Sequence, residues 1–96
     1  MNIGILKIRL RIPENMDLKG KRQVLKSIIA QLRNKFNVSA AEVGDNDLWQ
    51  LATIAVVVVS NDQRFTNEVL SKAVNFVEGS KFDIEFLDYD IEIIPL

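Results

Sequence analysis

Between Leu6 and Ile12, four apolar side chains alternate with three cations without a break. A period of two residues is the pattern of a β-strand that is buried on one face only, and it does not fit a helix. Pro13 follows at once and cannot donate to a strand ladder, so the strand is expected to end there. The first element is therefore a strand whose other face carries Lys7, Arg9 and Arg11.

The apolar residues that follow recur with helical spacing instead. Asp17 is suited to the N-cap, and Asn37 to a left-handed stop, so a helix is predicted that runs to about Phe36. The residues expected on its apolar side are Leu18, Leu25, Ile28, Ile29, Leu32 and Phe36.

Two strands are predicted next, joined as a hairpin. Residues 38–43 form a short, Ala-containing strand, which we expect at a sheet edge, and the turn is assigned to Gly44, Asp45, Asn46 and Asp47. The partner strand runs from about Trp49 to Val59 and is apolar on both faces over residues 54–59, which is typical of a strand in the middle of a sheet.

A second helix and a fourth strand complete the chain. Residues 60–62 supply an N-cap, Gly79 ends the helix, and residues 83–94 alternate as a strand ended by Pro95. The order β-α-β-β-α-β predicts a ferredoxin-like α+β sandwich, with a four-stranded antiparallel sheet and two helices on one face. The 96 residues suit a single such domain, residues 1–96. The apolar side expected for the second helix comprises Phe65, Val69, Leu70, Ala73, Phe76 and Val77.

Composition excludes most catalytic and metal chemistry. The chain has no cysteine and no histidine, so it cannot form a disulfide, a thiolate nucleophile, an imidazole base or a Cys/His zinc site. Asp45 and Asp47 supply too few ligands for a calcium loop. We therefore expect no enzymatic activity, no catalytic residues, no cofactor and no metal.

Neither membrane insertion nor export is indicated. Cations interrupt the apolar start of the chain, and the uncharged run at residues 48–60 is too short to span a bilayer. A cytoplasmic protein is the expectation that follows.

Charge is distributed unevenly along the chain, although the net charge is only −1. Residues 1–37 carry nine cations and two acids, a net charge of +7, whereas residues 38–96 carry three cations and eleven acids, a net charge of −8. The predicted topology places the first strand beside the fourth. Lys7, Arg9 and Arg11 are then expected to form cross-strand ion pairs with Asp88, Asp90 and Glu92.

The first helix carries the strongest functional signal. Lys19, Arg22, Lys26 and Arg33 gather on one flank at 100° per residue, and no acid lies between Lys19 and Asn37. Cations in the first turns are also unfavourable beside the positive end of the helix dipole. This flank, helped by Lys21, is predicted to bind RNA phosphate or a ribosomal subunit. The alternative is a solvated face that lies near acids from elsewhere in the fold.

Two further features bear on partners. Trp49 is expected in the core, so base stacking on aromatic side chains has little support. One of two apolar sets, residues 54, 56 and 58 or residues 55, 57 and 59, must point away from the helices. An uncovered apolar stripe predicts a homodimer, unless the aliphatic stems of strand-one cations shield it.

Six short stretches, spread over nearly the whole chain, carry a resemblance to a known family. They are residues 10–13 (LRIP), 18–22 (LKGKR), 32–39 (LRNKFNVS), 41–45 (AEVGD), 47–50 (DLWQ) and 58–62 (VVSND). Together they resemble the YlxP-like family of small bacterial proteins of unknown function. The resemblance implies a ferredoxin-like fold, no established activity, and members often encoded beside translation and ribosome-maturation factors.

The sequence departs from that pattern at Gly20, where the family commonly has an acid. Glycine weakens the first helical turn and removes a favourable charge, so the flank here is more basic. The resemblance favours RNA or ribosome binding. Two alternatives stay open, a homodimeric ligand-sensing or regulatory domain and a protein-interaction adaptor that uses the acidic fourth strand.

Overall fold

The computed structural model describes residues 1–44 and 50–96. The turn acids Asp45 and Asp47, and the core placement expected for Trp49, lie outside the described residues. The elements follow the predicted order, and Asp62 and Gly79 cap the second helix at the predicted ends. They are β1 (Asn2–Arg11), α1 (Leu18–Lys35), β2 (Ser39–Glu42), β3 (Leu51–Ser60), α2 (Gln63–Glu78) and β4 (Glu85–Pro95).

The four strands form one antiparallel sheet in the order β2-β3-β1-β4. The edge position of β2 and the interior position of β3 are both confirmed. β1 begins earlier than its strict alternation indicates, at Asn2, because residues 2–5 pair with β3 on one side and with β4 on the other. β4 includes Pro95 as its last residue, which an edge position permits. The α+β, ferredoxin-like fold is confirmed.

The core lies between the sheet and the two helices. Leu6, Ile8 and Leu10 of β1 are fully buried there, together with the even-numbered residues of β3 from Ala52 to Val58. Two residues expected on apolar helix faces are instead exposed, Leu18 at 38% and Phe65 at 52%. Each lies in the first turn of its helix.

A β-bulge changes the pairing between β1 and β4. Arg9 lies opposite Asp88, but Leu10 lies opposite Phe86, so Leu87 is an additional residue on β4. Phe86 consequently packs against the core, and Leu87, expected on the same face as Tyr89, is 37% exposed. Simple alternation along β4 therefore fails at this point.

The register between β1 and β4, together with this bulge, decides which acids meet the cations of β1. Arg9 Nε donates to Asp88 Oδ1 at 2.6 Å, as expected. Lys7 lies opposite Asp90 but forms no salt bridge with it or with any other acid of the described residues, so the ion pair expected for Lys7 is not formed. Arg11 pairs with Glu85 at 2.9 Å rather than with Glu92, which lies opposite Ile5. The two salt bridges are more than 45% exposed on both partners, so each contributes about 0 to 1 kcal/mol.

Both helices cover the same side of the sheet, which leaves the other side open. The open face is formed by the odd-numbered residues of β1 and β3 and by their partners on β4. On β3 these are Ala55, Val57 and Val59, because Ile54, Val56 and Val58 are buried beneath the helices. Val59 is 60% exposed, so cationic stems from β1 do not shield it.

Candidate nucleic-acid interface

Helix α1 begins with a side-chain cap. Asp17 Oδ1 accepts a hydrogen bond from the backbone N–H of Gly20 at 2.7 Å. A Cβ at residue 20 would lie 2.9 Å from Met16 Cγ and 3.0 Å from Asp17 Oδ1, so glycine fits this turn closely. The first turn itself holds no acid, and the positive end of the helix dipole is left with cationic neighbours.

The predicted flank is present on the surface of α1. Lys19, Arg22, Lys26 and Arg33 are all exposed. At 100° per residue they lie within an arc of about 60°, and Lys19 and Arg33 are separated along the axis by about 21 Å. Between Lys26 and Arg33, Ile29 and Ala30 lie just outside the two edges of this arc, so no cation fills this gap. We call the first three of these cations, Lys19, Arg22 and Lys26, the α1 cation row; Arg33 is treated separately below.

No salt bridge joins the α1 cation row to the rest of the described chain. The salt bridges found in residues 1–44 and 50–96 join Arg9 to Asp88, Arg11 to Glu85, Lys21 to Glu42 and Lys72 to Glu68. None of them involves the row. Its members also repel one another, since Lys19 and Arg22 are spaced i,i+3 and Arg22 and Lys26 are spaced i,i+4. The row is therefore a concentration of positive charge that helix stability does not require.

Arg33 has a structural contact that the others lack. Its Nη2 donates to the backbone carbonyl of Ala40 at 2.6 Å, which ties the end of α1 to the edge strand β2. A cation in the last turn is also favoured by the helix dipole. Arg33 remains exposed and keeps other guanidinium donors. It extends the surface, but folding alone is enough to explain it.

Lys21 has to be removed from the predicted surface. Its side chain is only 2% exposed, and its Nζ donates to the backbone carbonyl of Leu51 at 2.8 Å, with Glu42 Oε2 at 4.0 Å. The reason is angular, because Lys21 falls in the middle of the arc that Leu25, Ile28 and Leu32 occupy. Helical spacing from those buried residues was the sequence signal for this position.

Two other cations, Lys35 and Lys72, and the aromatic residue Phe82 have contacts within the fold. Lys35 Nζ lies 5.3 Å from the centroid of the Phe76 ring, a cation–π contact that holds it against α2. Phe82 packs against the hydrophobic core. Lys72 is paired with Glu68 at 3.0 Å. The α1 cation row thus carries no stacking platform formed by these aromatic rings.

Other chemistries find little support in the described residues. Within residues 1–44 and 50–96, no three acidic side chains converge in a way that would hold a metal ion. In the same ranges, neither helix is long and apolar enough to cross a membrane.

The fold and this surface define a small α+β domain with a cationic helix flank. Residues 3–91 match the profile of a family described as "Protein of unknown function (DUF503)", and the chain belongs to that family. A relative, "Uncharacterized protein YlxP" of Bacillus subtilis (strain 168), is 36% identical over 77 residues, which cover 80% of this chain and 84% of the relative. The YlxP-like resemblance of the sequence is thereby confirmed.

Comparison with solved structures gives a partial match. It is a REP-associated tyrosine transposase bound to a REP hairpin, with a TM-score of 0.45 and 15% sequence identity. The match covers 98% of this chain but only 56% of that chain. A likeness at this level carries no information on function.

Proposed function

We propose that this protein is a non-enzymatic, cytoplasmic accessory factor that binds the phosphate backbone of RNA, on a ribosomal subunit or its precursor. The observation that carries the proposal is the α1 cation row, which is exposed and without a salt bridge in the described chain. Cations spaced along a helix neutralise successive phosphates and release counterions. RNA is preferred over other polyanions because YlxP-like proteins resemble this chain and are often encoded beside translation factors.

The type of recognition follows from what surrounds the row. The neighbouring positions on α1 are uncharged and polar, Gln23, Ser27 and Asn34 among them. Phosphate contacts position a protein on nucleic acid without reading its sequence. We therefore expect binding with little sequence preference, strongly weakened by salt.

The test compares two double variants that lose the same charge. Arg22→Gln with Lys26→Gln removes two members of the α1 cation row. Arg64→Gln with Lys81→Gln removes two exposed cations elsewhere, neither of which has a salt bridge in the described chain. Each protein is sedimented with ribosomal subunits through gradients at low and high salt, and titrated with a duplex RNA.

The proposal expects wild-type protein and the Arg64/Lys81 variant to travel with a subunit at low salt, and the Arg22/Lys26 variant to lose that association. Equal losses in both variants would mean diffuse attraction and would contradict a defined surface. Wild-type protein that neither co-sediments nor binds RNA near 50 mM salt would overturn the proposal and favour the regulatory-dimer alternative. Capture that survives ribonuclease would favour the adaptor instead.

A further inference from the structure

The open face of the sheet is divided into an apolar end and a charged end. Strand register places its residues in rows that cross β3, β1 and β4. The first row is Val59, Ile3 and Ile94, and the second begins with Val57 and Ile5. Further along the strands the rows become ionic, with Arg9 beside Asp88 and Arg11 beside Glu85. We call the apolar end, residues 3, 5, 57, 59 and 94, the open-face patch.

The open-face patch lies on the side of the sheet opposite the helices, and all of its residues are at least partly exposed. Val59 is 60% exposed, and the other four residues are half-buried by their neighbours in the sheet. β-branched residues on the solvent side of a sheet do not need to be clustered for folding. A contiguous apolar surface rimmed by charges is typical of an interaction site.

The charges that border the patch form no salt bridge with the residues that the structure describes. Glu92 completes the second row, opposite Ile5, and Lys7 begins the third row, opposite Asp90. None of Lys7, Asp90 and Glu92 forms a salt bridge within residues 1–44 and 50–96. Glu92 is therefore a carboxylate in a row whose other members are apolar, and any partner that covers the row has to supply a cation.

We propose that a second copy of this chain covers the open-face patch in a two-fold dimer. A two-fold interface uses the same surface on both copies, so each charge at its border needs a complement on that surface. Lys7 and Glu92 meet this condition, because Lys7 can face Glu92 of the partner subunit while Glu92 faces the partner's Lys7. Asp90 lies opposite Lys7 within its own sheet. A partner of uniform charge would leave one of the two without a complement.

The dimer would leave the α1 cation row accessible. The helices cover the opposite side of the sheet, so face-to-face association of two sheets places both α1 helices on the outside. Dimerisation and RNA binding therefore use different surfaces. The two proposals can therefore fail independently. RNA binding is tested by co-sedimentation and titration, and dimerisation is tested by the mass of nucleic-acid-free protein.

The first test introduces a charge into the patch. Val59→Glu should convert a dimer into a monomer in sedimentation equilibrium at high micromolar concentration, whereas Phe65→Glu should leave the dimer intact. Phe65 is a matched control because it is a similarly exposed apolar residue, on α2. Circular dichroism checks folding, and Val59→Ser serves as a milder variant that should weaken the dimer. A monomeric wild type, or a dimer unaffected by Val59→Glu, would overturn the proposal.

The second test asks whether the charges pair between copies. Lys7→Glu and Glu92→Lys each place like charges across the two-fold, so each variant alone should dimerise at least about tenfold more weakly. Mixed in equal amounts, the two variants restore both complementary contacts and should form a heterodimer close to wild-type affinity. A mixture that associates no better than either variant alone would overturn the pairing, and with it the choice of a second copy as occupant.

Discussion

Lys21 Nζ donates a hydrogen bond to the carbonyl oxygen of Leu51 at 2.8 Å, across the interface between helix α1 and strand β3. The lysine is one of the largest fully buried side chains of the protein. It therefore acts as a polar anchor that joins the first turns of α1 to the start of β3. Lys21, although it lies in the middle of a basic segment, is therefore a buried structural residue and does not contribute to the charged surface.

Replacing Lys21 with methionine should lower the free energy of unfolding by about 1 to 3 kcal/mol. Methionine keeps much of the apolar stem, but it leaves the Leu51 carbonyl without its charged donor. Urea unfolding measures the loss. Lys19→Met, on the exposed side of the same turns, should change stability by no more than about 0.5 kcal/mol. Equal stability of wild type and Lys21→Met would show that the buried bond contributes nothing.

Substitutions in the α1 cation row should weaken RNA binding without lowering the free energy of unfolding of the protein. The Arg22→Gln and Lys26→Gln double variant removes like-charge repulsion, and glutamine is a good helix former, so it should unfold at the same urea concentration as wild type or higher. Clear destabilisation would indicate that these cations have structural partners and would weaken the case for a binding surface.

The salt dependence of RNA binding should report the number of cations in contact. For three phosphate contacts on a duplex, the slope of log K against log salt is about −3, and about −4 if Arg33 also contacts phosphate. The Arg22 and Lys26 double variant should reduce the magnitude of the slope by about 2. The Lys21→Met variant, measured under conditions in which it is folded, should leave the slope unchanged. A shallower slope would mean that Lys21 contacts phosphate and is therefore not buried in the RNA-binding state.

Gly4 should not tolerate a side chain. A Cβ at this position would lie 2.8 Å from Leu70 Cδ1 and closer still to Thr66 Cγ2, because α2 crosses β1 here. Gly4→Ala is expected to cost about 1 to 3 kcal/mol through overpacking. Thr66→Ser removes the Cγ2 methyl but keeps the hydroxyl that donates to Asp62, so adding it to Gly4→Ala should recover part of the loss. No recovery would place the clash on Leu70 alone.

With the bulge in β4, substitution of Phe86 is expected to destabilise the protein more than substitution of Leu87, whereas simple alternation would predict the reverse. Phe86→Ala removes a ring packed against the core and should cost about 2 to 4 kcal/mol, whereas the exposed Leu87→Ala should cost less than about 1 kcal/mol. Thermal or urea unfolding of the two variants decides between the registers. A larger effect at Leu87 would mean that β4 pairs with β1 without the additional residue.

The sequence by itself determined the order of elements, the fold class and the helix ends. Alternation at residues 6–12, helical spacing in α1 and α2, and the caps Asp17 and Asp62 are local signals, and each acts through its own segment of backbone. The cationic flank of α1 was visible for the same reason, since helical geometry alone brings residues 19, 22, 26 and 33 to one side.

Tertiary structure decided which charges are available. Lys21 has an acceptor in the core because β3 brings the Leu51 carbonyl to it, and Arg33 contacts Ala40 because β2 passes the end of α1. The bulge at Leu87 assigns Glu85 to Arg11, and the unbroken register from Asn2 to Arg9 places Glu92 opposite Ile5 in an apolar row. The choice of Ala55, Val57 and Val59 as the open set depended on the side that the helices cover. Each of these contacts joins segments that are distant in the sequence. Helical spacing indicates that Lys21 faces the core, but periodicity within one segment does not identify the groups that Lys21 or the other residues contact.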